Sequence, residues 1–351
     1  MSQPKSGAAT IPPTPPPVGR SWLAGLLAER SVQLALVGWA LTSALILVIA
    51  RGSLPFDRPA LAGQSVAIQV VAANVALLEV FGLMAVAYLL TRHRTRLDIA
   101  ARAPAPAVAR RETLLLLGYA VLGLVGGFGL GRGLGWHPIS FHVVGTLYGT
   151  HAAVGPGEVL GGAVYNFVVY AAVPYLYFRR RYSAERLNLT STDRGNDALV
   201  IVVVLAIEAL FELLFLSHEI LRLGPRQLLL GAPLTFGLYF VGTVLPTMIL
   251  IYAILVPRYL RLTGSVPTTV ILGGLTYMLM HCFDGWMVFD SPGNAVLSVC
   301  ALLLTYFGPG MIKTVLTLRT GNAWVHVFAY HAVAPHTLED TPLMVRVFGI
   351  R

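Results

Sequence analysis

Charge is scarce in this sequence. Only 12% of its 351 residues are charged, against about 25% in ordinary soluble domains, while 56% are hydrophobic. So little charge excludes a soluble globular protein. Cysteine is nearly missing: Cys282 and Cys300 both fall in apolar segments, which implies neither a disulfide framework nor a cysteine zinc pair. A phosphate-cradling loop is missing too, because the glycines between 126 and 135 lack a following Lys-Ser/Thr and open no helix. No His-Glu-x-x-His and no Gly-x-Ser-x-Gly occurs, and His218-Glu219 is an isolated dipeptide. The net charge of +9 comes from basic residues placed mostly in short loops. That placement fits orientation in a membrane by the positive-inside rule and argues against nucleic acid as a partner.

What the chain has in abundance is apolar runs of about 20 residues, the length that crosses a hydrocarbon core as a helix. Nine are expected, near 31–50, 66–91, 113–131, 158–177, 196–217, 235–256, 267–289, 294–312 and, shorter, 322–334. The fold class is therefore an all-α polytopic membrane bundle of eight to nine helices, with the lipid bilayer as its partner. A bacterial plasma membrane is the expected location. Residues 1–29, with Pro12, Pro13, Pro15, Pro16 and Pro17, bury too little apolar surface to fold and read as a cytoplasmic tail. Residues 30–157 form an N-terminal set of spans and 158–351 a second unit. The arginine-rich loops from Arg92 to Arg111 and from Arg179 to Arg186 belong inside. The loop carrying His137, His142 and His151 belongs outside.

Ionisable residues at membrane depth are costly and mark function or a specific partner. Here they are Glu79, Glu208, Glu212, His281, Asp284, His326 and His331, with His336 just past the last helix. Glu208 and Glu212, four apart, share a helical face. They could hold a metal or a shared proton, or simply be protonated and bonded to neighbouring helices. His281 and Asp284, three apart, also share a face, and a carboxylate beside an imidazole fixes its tautomer and raises its basicity. His281 is expected well inside its span, whereas Asp284 either supports it or begins the turn that follows. His326 and His331, five apart, do not share an α-helical face.

The C-terminal half carries landmarks in a familiar order. Tyr277-x-x-x-His281 is followed by His331-x-x-x-Pro335 with His336 next to it, and a basic stretch, PYLYFRRRYSAERLNL, precedes both. In this it resembles the CPBP family, the CAAX-protease and bacteriocin-processing intramembrane proteases, over about residues 170–336. The family's Glu-Glu-x-x-x-Arg motif has no counterpart, since Thr247-Met248-Ile249-Leu250-Ile251-Tyr252 stands where it should fall. The resemblance implies hydrolysis of a peptide bond in a membrane-associated peptide or protein substrate. His281 and His331 would bind a divalent metal such as zinc or stabilise developing charge. Glu212 is expected to replace the missing base, with Asp284, Glu208, Thr247 and His336 supporting the site. Two readings stand beside this one: an inactive pseudoprotease that binds a membrane partner, and a proton-coupled transporter.

Overall fold

The computed structural model describes residues 22–56, 61, 63–143 and 154–351. The expected tail up to residue 21, Asp57, Arg58 and His151 lie outside the described residues. Trp22–Leu27, at the end of that tail, form a short helix. The fold is all-α, with no strand among the described residues. Among the described residues, seven helices are long and apolar enough to cross a membrane. They are α1 (Arg30–Ile49), α2 (Val66–Leu90), α3 (Pro106–Gly133), α4 (Pro156–Arg179), α5 (Arg194–Phe215), α6 (Pro225–Thr263) and α8 (Pro292–Thr320). The shorter α7 (Val266–Met280) and the irregular α9 (residues 323–347) complete the bundle.

Four of the helix starts are capped by a side chain. Ser65, Asp193, Ser265 and Ser291 accept a first-turn N–H and cap α2, α5, α7 and α8. Gly264 and Gly321 end α6 and α8 in the left-handed conformation that glycine adopts without strain. Leucines and valines with no polar neighbours cover the outside of the bundle: Leu34, Val48 and Leu229 are each more than 70% exposed. In water such a surface would aggregate, and in lipid it is solvated.

The loops rich in arginine gather at one end. Arg94 pairs with Asp197 at 2.5 Å and donates to the Thr320 carbonyl. Arg102 donates to Asn188 and to the Gly321 carbonyl, and Arg186 donates to the Arg102 carbonyl. At the other end Arg346 meets Glu219, and Gln227 donates to the Ile350 carbonyl.

Three features carve out the interior. First, α7 has 15 residues, about 22 Å of helix, and so stops short of the roughly 30 Å hydrocarbon core. It runs inward from the arginine-rich end and leaves His281 at its C-cap. This corrects the expectation that His281 sits well inside a span reaching residue 289; the helix has already ended.

Second, the chain after α3 folds back into the bundle. The Ile139 N–H bonds the Gly127 carbonyl, Asn166 donates to the carbonyls of Ser140 and Phe141, and the Val143 N–H bonds the Thr243 hydroxyl. Non-helical backbone at membrane depth survives only when protein satisfies it in this way. Gly127 permits the approach: a β-carbon there would meet the Ile139 carbonyl oxygen at 2.4 Å.

Third, several helices widen to i→i+5 bonding, over Phe167–Ala172, Phe240–Val244, Met248–Leu255, Val327–His331 and Val333–Leu338. Pro174, Pro246 and Pro257 each stand two residues beyond such a stretch. A proline lacks the N–H owed to the carbonyl four residues back and crowds it. The wider turn lets the residue after the proline serve that carbonyl instead. The central helix, α6, is buried throughout Met248–Val256.

Candidate functional site

Five histidines converge in the interior. His142 is carried in by the folded-back segment, and its Nε2 lies 3.2 Å from His336 Nδ1. Asp340, one turn beyond His336, brings Oδ2 to 3.3 Å from the same Nδ1. One donor atom from each of the three lies within 4.8 Å of the others, and all three residues are buried. Two imidazole nitrogens and a carboxylate oxygen suit zinc or a similar divalent cation, leaving a fourth position open as catalytic sites do. A neutral imidazole at His142 would have a lone pair to give.

A second pair flanks this group. His281 Nδ1 is 3.1 Å from Asp284 Oδ2, which also accepts from the Tyr306 hydroxyl at 2.9 Å. The His281 ring lies flat on Tyr306, 3.9 Å between centroids and 4° between planes. Its Nε2 has no hydrogen-bond partner among the described residues. The His142 ring is 5.8 Å away. Asp284 stands in the turn after α7 and bonds His281 from there.

His331 comes next. Its Nε2 is 3.3 Å from the Tyr277 hydroxyl, and Tyr277 turns its edge to His281 at 4.7 Å. His281 and His331 are thus joined through Tyr277, while the three-atom grouping forms around His336 instead. The rings of His326 and His331 approach to 6.2 Å and those of His331 and His336 to 5.0 Å. Sequence reasoning with 3.6 residues per turn separated His326 from His331. The i→i+5 turns of α9 put residues five apart on one face, which corrects that expectation.

Glu212 accepts from Ser217 at 3.1 Å. With Glu208, Glu79, Lys313, His142 and His336 it lines a cavity of about 90 Å³, enough for several waters at about 10–15 Å³ each. Glu208 and Glu212 therefore share both a face and a chamber with the histidine group. Thr247 is buried, its hydroxyl without a partner among the described residues, on a part of α6 that packs against Phe167–Ala172.

Sequence reasoning missed three residues. His142 looked like part of an external loop, and nothing local signals that the loop folds inward. Asp340 was legible as His336-x-x-x-Asp340, the spacing of one helical turn. Lys313 falls one residue past the expected span 294–312, whereas α8 runs to Thr320 and keeps Lys313 buried. Comparison with known proteins identifies no relative: no family, no curated protein and no solved structure matches the chain.

Proposed function

We propose that this protein is a membrane-embedded, metal-dependent hydrolase that cleaves a peptide bond in a membrane-associated substrate. The observation that carries the reading is the buried convergence of His142, His336 and Asp340 beside a cavity large enough for water. These three residues would hold the cation, which when bound supplies Lewis-acid activation of water and of a carbonyl. Glu212 faces the same cavity and is the group proposed to take the proton from the attacking water. Asp284 holds the His281 ring through Nδ1 and leaves Nε2 free to donate or accept a proton. Tyr306 fixes the ring plane from beneath. The Tyr277 hydroxyl orients His331. Choice of a peptide substrate rests on the resemblance of Tyr277-x-x-x-His281 and His331 to the CPBP motifs.

The test is cleavage of a membrane-peptide library by purified full-length protein. Turnover that depends on a divalent cation and disappears in His336→Ala and Glu212→Gln is expected. Tight substrate binding with no turnover in any metal-replete preparation would mean a pseudoprotease instead.

A further inference from the structure

The cavity has a second chemical group that hydrolysis does not require. Glu79 lies near the middle of α2, Glu208 on α5 and Lys313 on α8, and all three line the chamber. α2 and α5 pack tightly towards the arginine-rich end, where Leu83 and Ala87 join Val200 and Val204 in one buried cluster. Further along the same two helices, Glu79 and Glu208 line the chamber.

Glu79 Oε1 and Glu208 Oε2 find no donor among the described residues. Both carboxyl groups line the same small cavity. Two carboxylates sharing one buried site repel each other, which favours a single proton held by the pair. Lys313 is an independent observation. It is 1% exposed, has no carboxylate within ion-pair distance among the described residues, and rests its Nζ 3.7 Å from the centre of the Tyr277 ring. A buried ammonium without a direct partner is expensive. One proton on the glutamate pair leaves a single negative charge, which balances the single positive charge of Lys313.

We infer that Glu79 and Glu208 form a proton-exchange site, holding one shared proton that passes to and from the water of this cavity, with Lys313 as the fixed countercharge. Other titratable groups face the chamber. They are Glu212 on α5, Tyr277 on α7, Tyr306 on α8, Tyr330, His336 and Glu339 on α9, and His142. The pair and Glu212, the proposed base, line the same chamber, so water filling it would carry to this site the proton that hydrolysis releases. The exchange itself needs no metal and no turnover.

Infrared difference spectroscopy tests it on the full-length chain in lipid vesicles, with and without a chelator and with no substrate. At neutral pH the wild type should show the C=O stretch of a protonated carboxylic acid, and the band should shift in deuterated water. Glu79→Gln and Glu208→Gln should each remove it, whereas Glu212→Gln should keep it. Lys313→Met, which deletes the positive charge, should move the band's titration to higher pH. No protonated-acid band at neutral pH, or one that survives both glutamine variants, would overturn the inference. So would a band insensitive to deuterated water, the mark of a sealed structural pair. A band abolished by sodium at constant pH would assign the site to a monovalent cation, against the inference. The wild-type spectrum decides even if a variant misfolds, and metal binding or cleavage can fail without touching these results.

Discussion

Removing Glu112 should destabilise the protein more than any change on its lipid-facing surface. Its carboxylate accepts from Arg258 Nε at 3.0 Å and Nη2 at 2.6 Å, and from the Tyr182 hydroxyl at 2.7 Å. Arg258 is 1% exposed and lies over the rings of Phe178 and Tyr182. In Glu112→Ala the guanidinium keeps only its Nη1 bond to the Ile254 carbonyl and cannot reach water. Breaking one partner of such a buried pair costs about 3–5 kcal/mol, or roughly two to three and a half orders of magnitude in the unfolding equilibrium. The double change Glu112→Leu with Arg258→Met removes both charges and should recover most of the loss, since apolar replacement of a buried pair is often neutral. Reversible unfolding in mixed detergent micelles measures Glu112→Ala, and Glu112→Leu, Arg258→Met and their combination close a double-mutant cycle. A single-variant loss below about 1 kcal/mol, the scale of an exposed pair, would refute the reasoning. A double variant as unstable as the summed singles would refute it equally.

Gly310→Val should lower thermal stability by about 1–3 kcal/mol through overpacking, because even a β-carbon at 310 would lie 2.8 Å from Gly274 Cα where α8 crosses α7. A melting temperature unchanged from wild type would contradict that crossing. Single cysteines in the loops 92–111 and 179–186 should resist an impermeant thiol reagent in intact cells and react in opened ones; labelling of either from outside would reverse the topology.

Most of the architecture was legible from apolar run length. The expected spans at 31–50, 66–91 and 196–217 match α1, α2 and α5 to within two residues. Exits were harder, because hydropathy does not distinguish a helix from a buried turn. Cys282, Phe283 and Trp286 continued the apolar run past Met280, where α7 ends. The site was half legible for a related reason. His281, Asp284, His331, His336, Glu208 and Glu212 stood out as polar residues in apolar sequence. Their arrangement did not, because it depends on wide turns that shift α9 from the 3.6-residue period and on a segment that brings His142 from outside any helix. Arg258 and Glu112 also escaped notice; each sits near a helix end, where a charge in the sequence looks solvated.

The central claim is that His142, His336 and Asp340 bind a divalent cation, and metal content tests it most directly. Full-length wild type, purified in detergent, exposed to zinc and desalted, should retain one zinc per chain by elemental analysis. His142→Ala, His336→Ala and Asp340→Ala should each lose it while remaining folded by circular dichroism, and Thr247→Ala should keep it. Wild type that retains no metal, or the three variants retaining as much as wild type, would contradict the account.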